Sequence, residues 1–87
     1  MDIDGEHLDD GQVLIRLTAA RQVARDGTGR RVRLAVGASL SEIGRACGVS
    51  KSSVCQWERG RREPTGEHAV RYWTVIAALA ATMEMQQ

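Results

Sequence analysis

Residues 39–60, SLSEIGRACGVSKSSVCQWERG, read as two short helices joined by a tight turn. Ser39 stands before Leu40 with Glu42 three positions on, the spacing of a capping box at a helix start. Leu40, Ile43 and Cys47 recur at i, i+3 and i+7, so one face of this helix, over 40–47, is apolar. Gly48 ends it where a left-handed backbone costs glycine little. Val49 plugs the turn, and Ser50 caps a second helix over 51–58 that turns Val54 and Trp57 inward. Lys51, Ser52, Ser53, Cys55, Gln56 and Arg59 are left facing outward. An ordinary solvated helix face would carry more Glu and Lys. A helix that buries one side and offers Lys, Ser and Gln from its first two turns suits a DNA major groove.

The pattern resembles the helix-turn-helix of the lambda-repressor and Cro family, also called the Xre family. The residues that carry the resemblance are Gly44 in the first helix, Gly48 at the turn, Val49 followed by Ser50, and then Glu58, Gly60 and Pro64. It extends over roughly residues 30–78. Two positions depart from the family. Gly44 stands where Ala is usual, at a cost of about 1 kcal/mol in helix propensity. Leu40 stands where Gln is customary, which removes the usual donor to a phosphate.

The resemblance implies that the second helix reads bases through Lys51, Ser52 and Gln56. Lysine can donate to guanine O6 and N7, and glutamine can pair with adenine N6 and N7. Cys55 lies beside them, where it can pack on a thymine methyl. Ser50, at a helix N-terminus, and Ser53 are candidates for phosphate contacts. So are Arg59, Arg61 and Arg62 around Gly60, and Arg45 on the first helix. Such contacts set affinity and register without carrying sequence information. Glu58 would repel phosphates. The family pairs this Glu with an Arg of the preceding helix, and the match implies an Arg33–Glu58 ion pair bracing the two helices.

Composition narrows the remaining classes. Eighty-seven residues make one domain with a modest core. With no Phe in the chain, Trp57 and Trp73 are expected to supply the aromatic burial. No apolar run approaches membrane-spanning length, and MDIDGEHLDDG is acidic where a signal peptide would be basic and then apolar. A soluble protein of the host bacterial cytoplasm is expected, with no membrane partner. Cys47 and Cys55 sit on separate helices without a CxxC, and only His7 and His68 accompany them. That arrangement is neither a zinc site nor a disulfide of a reducing compartment. Cys47 is expected in the core and Cys55 partly exposed near DNA. No Ser, His and Asp set stands out, both His are expected in solvent, and the GTG at 27–29 lacks a phosphate-loop context. Neither an enzyme nor a metal, cofactor or small-molecule ligand is expected.

The net charge of +1 conceals a strong asymmetry. Residues 1–10 carry five acids and no base, whereas residues 16–33 carry six Arg against Asp26 alone. Phosphates feel only the nearby field, so the distribution matters more than the total. The run Arg16 to Arg25 is read as a solvated face.

The whole is expected to be all-α, a five-helix lambda-repressor-like domain over 10–87 with an additional N-terminal helix, preceded by an acidic tail at 1–9. A first helix over about 10–26 would turn Val13, Leu14, Leu17, Ala20 and Ala24 to one side, and a second, about 29–36, would bury Val32 and Val36. After the pair at 40–47 and 51–58, Gly60 to Gly66 forms a loop in which Pro64 forbids helix. A last helix over about 66–84 would face inward with Val70, Trp73, Ile76, Ala77, Ala80 and Met83.

The function expected is a sequence-specific transcriptional regulator of double-stranded DNA, repressing by operator occupancy as small phage Cro-type proteins do. A homodimer is expected, because one reading helix offers little interface for specific affinity. The first helix and Trp73, Ile76 and Met83 of the last are its candidate surfaces. The alternatives are an antitoxin-like protein-interaction module and an excisionase-like architectural factor that bends DNA.

Overall fold

The computed structural model describes residues 9–85, which form five helices and no strand: α1 Asp10–Arg25, α2 Thr28–Val36, α3 Leu40–Cys47, α4 Lys51–Glu58 and α5 Gly66–Met85. The acidic segment read at 1–9 lies outside the described residues apart from Asp9. Local chemistry sets the helix ends. Asp9 accepts the Gln12 backbone N–H at 2.7 Å and starts α1. The Asp26 carboxylate accepts the Thr28 backbone N–H at 2.9 Å, which draws the chain round and lets α2 begin at Thr28. Ser39 and Glu42 form the reciprocal box, with Ser39 N–H donating to Glu42 Oε1 at 2.8 Å and Glu42 N–H to Ser39 Oγ at 3.0 Å. The first of these bonds holds the Glu42 carboxyl below its ordinary value. Ser50 Oγ accepts the Ser53 N–H at 3.1 Å and opens α4.

The long α5 is the spine against which α1, α2 and α3 pack, while α4 packs on α3. Ala20 and Ala24 of α1, Val32 of α2, Ile43 and Cys47 of α3, and Val54 and Trp57 of α4 meet Ala69, Tyr72 and Ile76 of α5 in one buried cluster. Trp57 and Tyr72 meet edge to face, with ring centroids 5.1 Å apart. Small alanines on α1 let its backbone approach α5 closely.

Three expectations about inward faces need correction. Leu14 is 58% exposed, because the N-terminal end of α1 overhangs the core; Leu17 and Val23 pack against it, and only Ala20 and Ala24 are fully buried in it. Trp73 is only half-buried, and the fully buried aromatic of α5 is its neighbour Tyr72. The inward stripe of α5 is thus Ala69, Tyr72 and Ile76, one position round from the expected Val70 and Trp73, which flank it. Tyr72 takes the interior because α2 leaves space for its ring at Gly29. A Cβ on Gly29 would collide with the Tyr72 hydroxyl. That hydroxyl is buried and has no hydrogen-bond partner among the described residues.

The α3–α4 angle depends on a similar close approach. A Cβ on Gly44 would lie 2.7 Å from the Val49 carbonyl oxygen and 3.3 Å from the Lys51 nitrogen. These are backbone atoms of the turn and of the first residue of α4, so they cannot swing aside. The departure from the family's Ala therefore has a local reason in this chain. Gly48, at φ +79°, supplies the left-handed residue of the turn.

Candidate nucleic-acid interface

The capped N-terminus of α4 projects from the domain, and the residues on its outer side fall into two groups. Lys51, Ser52, Cys55 and Gln56 line one shallow open depression together with Leu40 of α3 and Arg59 and Arg61 beyond α4. Lys51 and Ser52 are exposed, and Cys55 and Gln56 half-exposed. The depression thus offers an ammonium, a hydroxyl, an amide and two guanidiniums, with Leu40 and the Cys55 thiol as its apolar floor. Hydrogen-bonding groups around a small apolar floor match the chemistry of base edges and thymine methyls.

The second group lies on the opposite flank of α4. Ser53, half-buried and less outward than expected, lines a depression with Arg62 and His68. Its hydroxyl sits 3.2 Å from Ser50 Oγ. Arg45 is exposed in the last turn of α3 and belongs to neither group.

Glu58 is removed from the surface altogether. Arg33 Nε donates to Glu58 Oε2 at 2.6 Å and Arg33 Nη2 to Glu58 Oε1 at 2.9 Å, a two-pronged pair. The two side chains are 10% and 6% exposed. The hydrogen bonds that Arg33 donates to Glu58 raise the Arg33 pKa above its ordinary value against the opposing effect of burial. Arg33 Nη1 also donates to the Ala38 carbonyl at 3.1 Å. One guanidinium therefore ties the end of α4 to α2 and to the corner that leads into α3. Arg30, one turn earlier on α2, approaches Glu58 Oε1 at 4.0 Å while remaining exposed. The carboxylate nearest the outer face of α4 is thereby neutralised.

Three residues of this region lack a signal in the sequence. Leu40 reads as core from its spacing, yet it is only half-buried and borders the outer depression. Arg30 sits in a run of arginines with nothing to single it out. His68, expected in solvent, is half-buried, with Nδ1 3.0 Å from the Cys47 carbonyl oxygen. His7 lies outside the described residues. Both cysteines are free thiols. Burial pushes Cys47 up to about 11, so at neutral pH it stays a protonated core group.

Among the described residues no group of His, Cys, Asp and Glu could hold a metal ion, and no helix is long and apolar enough to cross a membrane. Residues 30–72 match the family model HTH_3, Helix-turn-helix. No curated protein and no solved structure matches the chain. The matched segment runs from Arg30 through α3 and α4 to Tyr72, and it contains both the Arg33–Glu58 brace and the depression on α4. Residues 30–72 thus form a helix-turn-helix of the lambda-repressor-like (Xre) family, a family of proteins that bind double-stranded DNA.

Proposed function

We propose that this protein is a sequence-specific transcriptional regulator that lays α4 in the major groove and acts by occupying its operator. Lys51, Ser52, Cys55 and Gln56 read base edges, and Leu40 adds an apolar contact at the same surface. Ser50, Ser53, Arg59, Arg61 and Arg62 hold phosphates on the two sides of α4, with Arg45 at the margin. The observation that supports this most is the gathering of the four base-reading candidates with Arg59 and Arg61 on one surface, from which the Glu58 charge has been withdrawn. Operator occupancy needs only this DNA-reading surface. Its place of action is the DNA of the host cytoplasm.

A homodimer is part of the same proposal. Leu14, Ile15 and Leu34 are 58%, 66% and 51% exposed, a large share of apolar side chain to leave in water. They replace the surface expected on α5, where Ile76 is buried and Trp73 and Met83 are half-covered. Light scattering behind size-exclusion chromatography should give twice the 9.5 kDa of one chain; a species that stays monomeric on DNA would overturn the dimer.

Selection from a randomised duplex pool at about 150 mM salt, where weak nonspecific binding is suppressed, tests the main proposal. A palindrome is expected. A single asymmetric site would keep the reader and remove the dimer. Failure to enrich any sequence would overturn the regulator in favour of a protein-partner module.

A further inference from the structure

α1 begins and ends outside the segment that the family model matches, yet it carries two arginines to the loop that follows α4. Arg21 Nε stands 3.9 Å from Glu63 Oε1, and Arg25 Nη1 stands 3.7 Å from Glu63 Oε2. Both separations exceed a hydrogen bond, so one carboxylate is shared loosely between two guanidiniums. Arg21 Nε is buried and has no hydrogen-bond partner among the described residues. A buried, unsatisfied donor on a charged group is costly and calls for an explanation. Arg62 lines the same cleft, with Gly60 and Pro64 beside it. Its volume of about 60 Å³ suits a small tetrahedral anion and is far below the several hundred Å³ of an organic-ligand pocket. Two guanidiniums thus face one carboxylate, a third lines the cleft beside them, and that carboxylate is on a side chain 58% exposed and able to swing into solvent.

We infer that Arg21, Arg25 and Arg62 form a binding site for a backbone phosphodiester of the duplex, outside the stretch contacted by α4. The site rests on the DNA-reading function proposed above. Glu63 occupies it in the free protein and yields when a phosphate arrives, leaving the Arg21 Nε donor satisfied by a phosphate oxygen. The additional helix thereby lengthens the DNA footprint beyond that of the helix-turn-helix. The arginine run of α1 acquires a role that solvation alone does not give it.

The test compares the wild-type protein with Arg25→Gln and with Arg21→Gln/Arg25→Gln on the selected operator and on a random duplex. The slope of log affinity against log salt should fall by about one to two for the double variant, since each phosphate contact contributes about 0.9. Affinity at about 150 mM salt should fall roughly fivefold to thirtyfold on both duplexes alike, because a phosphate contact carries no sequence information. Ethylation of phosphates flanking the operator should weaken the wild type and leave the double variant unaffected, and Arg25→Lys should retain most of the binding. Arg25 is exposed, so its single variant reports on binding even if Arg21→Gln proves unstable. An unchanged slope with an unchanged ethylation pattern would overturn the inference. So would loss of sequence preference, which would make α1 a support for α4. Stabilisation by millimolar inorganic phosphate with no change in the DNA slope would assign the cleft to a free anion and also overturn it. If the wild type enriches no sequence, the DNA-reading function itself fails, and this site with it.

Discussion

Two glutamates flank the loop after α4, and each is faced by two arginines. Around Glu58 the geometry is closed: Arg33 grips it at 2.6 and 2.9 Å, its side chain is 6% exposed, and Arg30 adds a more distant third charge. Around Glu63 it is open: Arg21 and Arg25 stand at 3.9 and 3.7 Å, and the side chain is 58% exposed. The residue types are the same and the outcomes differ, because burial decides what an ion pair does. A desolvated pair with hydrogen bonds on both prongs acts as a structural brace. A hydrated pair beyond hydrogen-bonding distance contributes little and can change partners.

The sharpest way to break this contrast is to cut the buried pair. Glu58→Ala or Arg33→Ala should cost about 3–5 kcal/mol in urea unfolding, because the surviving charge is left buried and unpaired. The double variant should cost less than the sum of the two single ones. Equal melting temperatures for Glu58→Ala and Arg33→Ala/Glu58→Ala, with no coupling, would show that the brace is not energetic. Next comes the tight side of the same braced unit. Gly44→Ala should destabilise by about 1–3 kcal/mol through overpacking against the Val49 carbonyl, although Ala is the better helix former by about 1 kcal/mol. A stabilised Gly44→Ala protein would mean that the turn yields more readily than its backbone contacts allow.

On the open side, Glu63→Gln should move stability by under about 1 kcal/mol while raising affinity for duplex DNA roughly threefold to tenfold at low salt, since it removes a repelling charge. A large stability loss would place Glu63 with Glu58. The smallest effect concerns the capping box. Glu42 is held below its ordinary value of 4.5 by the Ser39 backbone N–H, so its contribution is complete above that value and is lost as pH falls through the lowered one. Glu42→Gln should therefore flatten the acid limb of the stability curve and leave neutral pH almost unchanged, as read by thermal melts across the carboxylate range.

Much of the braced unit was legible in the sequence. The bounds of α3 and α4 follow from Ser39, Glu42, Gly48 and Ser50, whose interactions span three or four residues and so are visible in a linear string. The Arg33–Glu58 pair, 25 positions apart, came from resemblance and had no local signal of its own. The faces of α5 could not be told apart by periodicity. In a helix this rich in Ala, Val and Leu, the stripes through Ala69 and Tyr72 and through Val70 and Trp73 both fit a helical repeat, and the deciding fact is the space at Gly29. Arg21 and Arg25 meet Glu63 across some 40 residues by way of the α1–α5 packing, which no spacing rule encodes.

The contact between Gly44 and the turn has a consequence for how such a protein can change. Backbone holds backbone there, while Arg33 fastens the far end of α4. The side chains of Lys51, Ser52, Cys55 and Gln56 take part in neither fastening. On the proposed function, the part that discriminates is thus mechanically separate from the part that aims, like a bit in a chuck. New operators should be reachable by exchanging those four side chains alone, with no compensating change elsewhere in the domain.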